Sequence, residues 1–198
     1  MLERVKHIDV LVAAQLPTDE FAVVHSAWLA LMGLRTNGDL DVILSAGLRK
    51  TLFPDRDENR HWGLPGPLER RIRFQPAKSP YGSFYGASDI DDVIRRHCVV
   101  IDGIKFIEPR FYFMFKKHRM DMLSARKAGR PLWQRLAGPL NSVNRALERK
   151  IQKDAADFGR IARFLDDSGP EKTGLAQLGD DVWDRQERSW LPATLARR

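Results

Sequence analysis

At 198 residues, with 43% apolar and 30% charged side chains, the chain is long enough for one solid core, or for a core with a small helical appendage. Its apolar runs are far too short to span a bilayer, and the N-terminal stretch mixes acids with bases, unlike a signal peptide. Cys98 is the single cysteine, so no internal disulfide can form, and a cytoplasmic protein without a transmembrane segment is expected.

Residues 3–14 carry apolar side chains at Val5, Ile8, Leu11 and Val12, the spacing of an amphipathic helix that Pro17 ends. Residues 21–24 (FAVV) read as a compact strand, and Ser26 is placed to cap a helix over 27–32. Gly33 stops that helix, and Thr36, Asn37 and Gly38 turn the chain into a strand over 39–44 (DLDVIL). Residues 53–67 are polar and dense in glycine and proline, a loop pattern that returns at 76–86. Between them 71–75 (RIRFQ) alternates weakly as a short strand. A helix is expected over 89–97 with Ser88 as its cap and acids in its first turn. Residues 98–101 and 104–107 are short apolar strands around an Asp102–Gly103 turn, and Pro109 closes the second.

Beyond that point the pattern is helical. Residues 111–128 place Phe111, Phe115, Met122 and Ala125 on one side. A long charged helix over 140–165 carries Val143, Leu147, Ile151, Phe158, Ile161 and Leu165. Glycine, proline and charge then dominate until 182–191, which holds Trp183 and Trp190. Alternation first and helices later predict an α+β fold: a small mixed sheet with flanking helices and a C-terminal helical subdomain. The expected divisions are an α/β core over 1–110, a basic helical subdomain over 111–168, and a tail over 169–198 that packs through its tryptophans or stays partly disordered.

The net charge of +7 is uneven. Residues 113–163 hold thirteen Lys/Arg against four Asp/Glu, a local balance of +9, so the remainder is slightly acidic. A basic half points to a polyanionic ligand, such as a triphosphate, a nucleic acid or an acidic membrane surface, or else to solvated helix faces.

Two positions carry the chemistry. Asp39 and Asp41 sit at i and i+2 of a strand and share a face. Paired carboxylates repel, and a hard divalent cation such as Mg²⁺ relieves both. Ser26, between a strand and a helix, offers a hydroxyl and unpaired amides to an anion, or simply caps the helix. The five histidines (His7, His25, His61, His97 and His118) have no zinc-ligand spacing, and no phosphate-binding glycine loop or serine-hydrolase elbow is present. The aromatic-rich loop 79–86 suits either stacking on a base or sugar ring or plain surface packing.

His25–Ser26 followed by Asp39–Leu40–Asp41 resembles the nucleotidyltransferase superfamily of polymerase β-like and antibiotic-modifying enzymes. These carry a small residue plus serine on a strand-to-helix turn, then an Asp-x-Asp strand. The downstream run 102–109 (DGIKFIEP), the helix with Lys116, Lys117 and Arg119, and the later Lys153, Asp154 and Asp157 resemble bacterial members. The likeness spans residues 23–157 with a long unmatched middle. It implies a nucleotidyltransferase-type core with Mg²⁺ (or Mn²⁺) on Asp39 and Asp41, and phosphates held by the His25–Ser26 turn, Lys117 and Lys153. The nucleotidyl group of an NTP would pass to a hydroxyl acceptor, with antibiotic-modifying, toxin and polysaccharide-cluster relatives pointing to a sugar or glycan-linked one. The family has glycine where this chain has His25. Its third carboxylate is not on 71–75, which leaves Glu108, then Asp102, then Asp92. The alternative readings are a catalytically degenerate nucleotide- or nucleic-acid-binding module on the same fold, and a partner protein that docks on an acidic surface.

Overall fold

The structure is a computed structural model that describes residues 1–55, 62–63, 71–75, 89–129, 142–167 and 169–192. The fold is α+β. Its strands are β1 (Phe21–Val24), β2 (Leu40–Leu44), β3 (Trp62–Gly63), β4 (Ile72–Phe74), β5 (Cys98–Ile101) and β6 (Ile104–Ile107). They form one mixed sheet in the order β3–β4–β2–β1–β6–β5. Strand β1 runs antiparallel to β2 and parallel to β6, and β2 runs parallel to β4. All four residues of β1 are buried, as suits a central strand covered on both faces.

Helix α1 (Ile8–Ala13) is shorter than the periodicity suggests, and a separate 3₁₀ turn occupies Leu2–Arg4. The break has a physical cause. The buried Asn37 side chain accepts from the Lys6 N–H at 2.9 Å and donates to the Lys6 carbonyl at 3.1 Å, which takes both groups out of any helix. His7 then starts α1 from a left-handed conformation.

Helix α2 (Ala27–Leu31) begins at Ser26 and is buried along its whole length. Its indole Trp28 donates to the Ile107 carbonyl at 2.6 Å, which ties the helix across β6. Gly33, at φ +70°, ends it: the Gly33 N–H bonds to the Ala30 carbonyl and the Leu34 N–H to Leu29. Helix α3 (Ala46–Leu52), for which no expectation was drawn, is capped by Ser45, whose hydroxyl accepts from the Leu48 N–H and donates to Glu20. Helix α4 (Ile90–Arg96) is capped by Asp89; the expected cap Ser88 lies outside the described residues, as do residues 56–61 and 64–70 and the loop expected over 76–86. Between β5 and β6, Asp102 and Gly103 both have positive φ, the mark of a tight hairpin turn.

Two long helices, α5 (Pro109–Ala128) and α6 (Ser142–Asp167), pack on each other. Pro109 occupies the first turn of α5, where its missing N–H costs nothing. Phe111, Tyr112, Phe113 and Lys116 form the buried face of α5, while Met122, expected on the apolar side, is exposed. After a 3₁₀ turn over Gly169–Thr173 comes the short helix α7 (Asp180–Trp183). Trp183 packs edge-on against Trp28 at 5.4 Å, and Trp190 sits on Phe113 at 4.6 Å; both indoles are fully buried. Among the described residues no helix is long and apolar enough to cross a membrane.

Candidate functional site

Strand alternation builds the site. In β2, Leu40 and Val42 are fully buried, so Asp41 projects to the opposite face of the sheet. Asp39 lies one residue before β2, and its carbonyl accepts from the Asn37 amide at 3.0 Å, which sets the entry of the chain into the strand. In β4, Ile72 and Phe74 are buried and Arg73 pairs in register with Asp41. Arg73 and Gln75 therefore project to the same face as the two aspartates.

These neighbours hold both acids. The Arg73 guanidinium lies 3.0 Å from Asp39. The Gln75 amide donates to one Asp41 oxygen at 2.6 Å, and the His25 Nδ1–H donates to the other at 2.9 Å. Burial raises the Asp41 carboxyl, but the His25 and Gln75 bonds and the nearby Arg73 outweigh it and hold the group below the usual aspartate range. His25 occupies the strand-to-helix turn at φ +61°, a conformation that favours glycine, and its ring stacks on Phe115 with centroids 4.7 Å apart. Ser26 stands at the cap position of α2 but makes no side-chain cap bond.

Above this face opens a cleft of about 340 Å³. His25, Ser26, Asp39, Asp41 and Arg73 line it from the sheet side. Tyr112, Phe115, Lys116, Arg119 and Leu123 line it from α5, Arg35 from the loop after α2, and Lys150 and Lys153 from α6. The structure thus brings together His25, Ser26, Asp39, Asp41 and Lys153. It does not bring Lys117 or Glu108 into the cleft lining. Lys117 pairs with Asp121 one turn along the surface of α5. Glu108 caps α5 and pairs with Arg110 at 2.7 Å; burial pushes its carboxyl above the usual range. Nor do Asp92 and Asp102 line it: Asp92 pairs with Arg95 and Arg96 on α4, and Asp102 lies in the β5–β6 turn.

The lysine that matters on α5 is Lys116, one position away. Only 1% exposed, its ammonium bonds to Asp154 at 2.7 Å and to Asp157 at 2.6 Å, both fully buried. Arg119 adds a two-point contact with Asp154, and Arg35 does the same with Asp157. Arg160 also reaches Asp157 at 3.1 Å. Asp154 and Asp157 are therefore the buried anchor of a network that joins α5, α6 and the loop leading to Asp39. Burial draws the Lys116 ammonium below the usual lysine range, and the two aspartates offset part of that. Burial also raises both aspartates, but their cations outweigh it and hold them below their ordinary value.

That sign fixes the pH dependence. Groups with lowered folded pKa values stabilise the fold above their unfolded pKa, and this is lost as pH falls through the folded value. Glu108, whose pKa is raised, acts oppositely and loses its contribution as pH rises. The melting temperature is expected to hold between neutrality and about pH 5, then to fall steeply on further acidification. Asp154→Asn should flatten that acid limb, which a series of thermal melts across pH would reveal.

Among the described residues no group of three or more His, Cys, Asp or Glu side chains is arranged to hold a metal ion. A cation at this face would have Asp39 and Asp41 as the carboxylates that could hold it. That fits an ion which keeps several waters and takes further oxygens from phosphates. The fold and cleft define an α+β protein with a carboxylate pair facing a basic rim. No family model matches the sequence, and comparison with curated proteins and with solved structures finds no significant match.

Proposed function

We propose that the chain binds a nucleoside triphosphate in this cleft and transfers its nucleotidyl group to a hydroxyl acceptor, as a nucleotidyltransferase-like protein: the acceptor oxygen bonds to the α-phosphorus, the bond to pyrophosphate breaks, and pyrophosphate leaves with the hydroxyl proton released to solvent. One observation carries the reading: two carboxylates on one sheet face meet a basic rim across a single cleft. Asp39 and Asp41 would hold Mg²⁺ or Mn²⁺. Such an ion, when bound, stabilises charge on the attacking and leaving oxygens of an in-line displacement. Lys150 and Lys153, exposed on α6 at the cleft, offset the charge of the phosphate tail. His25 and Gln75 fix the orientation of Asp41, and the Ser26 hydroxyl is offered to the tail. The acceptor is a sugar or glycan-linked hydroxyl by the resemblance alone. Glu108 has no part in this reading.

A second reading is favoured by the bonds that Arg73, Gln75 and His25 already make to the acid pair: a module that binds nucleotide or nucleic acid without metal and without turnover. Its polyanion would be drawn by the basic stretch of sequence over 113–163.

Calorimetric titration with ATP and GTP, with and without Mg²⁺, separates the two. Binding that requires Mg²⁺ and disappears in Asp39→Ala/Asp41→Ala is expected. Affinity indifferent to both Mg²⁺ and these substitutions would sink the transferase reading. Salt-dependent binding to arbitrary DNA or RNA would support the second.

A further inference from the structure

Of the cationic side chains facing the cleft, Arg73 differs in what it is paired with. Arg35, Lys116 and Arg119 are committed to Asp154 and Asp157, which are fully buried and do not line the cleft. Arg73 is instead paired with Asp39, itself one of the two carboxylates that face the cleft. It reaches Asp39 from β4, the strand that lies beside β2, and stands in register with Asp41. It thus lies beside both acids.

An ion held by Asp39 would meet this guanidinium at the same carboxylate. Two cations on one carboxylate repel unless a further negative charge is supplied. A phosphate tail supplies it, and arginine suits phosphate because its planar fork matches the oxygens. The pair with Asp39 is also easy to release. Arg73 is 56% exposed and Asp39 29%, which places the contact among solvent-screened ion pairs of small net strength.

From this we infer that Arg73 is a latch on the acid pair. It neutralises Asp39 until nucleotide arrives and then passes to the phosphates, so that metal and nucleotide load together and metal alone is held weakly. The inference rests on the proposed cleft function and adds a rule for the order in which the cleft fills. It also gives β4 a role: the strand carries a cation where the resemblance leads one to look for a third acid.

The test measures Mn²⁺ binding by electron paramagnetic resonance, alone and with a non-hydrolysable ATP analogue, for the wild type, Arg73→Ala and Arg73→Lys. Arg73→Ala is expected to tighten Mn²⁺ alone by about fivefold and to weaken the analogue with Mn²⁺ by a similar factor, the scale of one screened ion pair. Arg73→Lys, which keeps the charge but not the fork, should leave Mn²⁺ alone near wild type while losing part of the analogue affinity. An unchanged Mn²⁺ affinity in Arg73→Ala, or a shift of both affinities in the same direction, would overturn the latch while leaving the cleft function standing. If neither wild type nor variants take up Mn²⁺ or the analogue, the cleft function itself fails and the latch with it. Circular dichroism checks the fold of each variant. Should the alanine variant not fold, Arg73→Gln carries the same comparison.

Discussion

Lys116→Ala is expected to destabilise the fold by about 3–5 kcal/mol, the usual result of removing one partner from a buried charge cluster. Two fully buried aspartates would lose the ammonium that lies between them, at 2.7 and 2.6 Å. Arg119 and Arg35 would still neutralise one each, but both approach from the cleft side and are partly exposed. Denaturant unfolding measures the loss. Lys116→Met separates charge from cavity: it keeps most of the volume and should retain most of the destabilisation. Lys117→Ala, next along the chain, should change stability by no more than about 0.5 kcal/mol, because its partner Asp121 is a surface contact. A comparable loss in both variants would mean that the network is not the anchor of the helical half.

Asp41→Asn should have the largest effect on ligand binding. The substitution keeps the shape, removes the charge that faces the cleft, and exchanges one of the two oxygens that accept from Gln75 and His25 for an amide donor. The Gln75 amide can still donate to the remaining oxygen, and burial of a neutral side chain is cheaper than burial of a carboxylate. The loss of one charge-assisted bond should therefore cost stability about 1–2 kcal/mol. On the proposed function, metal-dependent nucleotide binding should weaken by about a hundredfold or more, since one of the two proposed carboxylate ligands is gone. Titration of Mn²⁺ with the ATP analogue reads this directly. Retained affinity in Asp41→Asn would move the ligand away from the acid pair.

Much of the sheet was legible because its signals are local. The apolar run of β1, the glycine that ends α2 and the Asp102–Gly103 turn each act over a few residues. The acid pair was legible for the same reason, since period-two alternation needs no partner to be read. What was not legible depends on elements distant in the chain. Arg73 and Gln75 sit in a short strand whose alternation (RIRFQ) already put them on one face. Nothing local says that this face lies beside Asp41. Lys116 and Lys117 are adjacent, and the resemblance points to Lys117 where the fold buries Lys116. Yet it lies three and four residues after the buried Phe113 and Tyr112, and that helical spacing is a usable signal. Asp154 and Asp157 carry no local sign of burial on a charged helix, and only the arrival of α5 and Arg35 buries them. Asn37 passed for an ordinary turn residue, although its side chain shapes both the N-terminal segment and the entry to β2.

The pairing of Arg35 with Asp157 spans 122 positions of the chain. During synthesis the sheet leaves the ribosome first, with the loop before Asp39 still without its distal anchor. The buried faces of α2 and α5 wait longer still, for Trp183 and Trp190. A nascent chain therefore carries its acid pair well before it carries a finished cleft, and the binding surface matures only as the last elements come to rest.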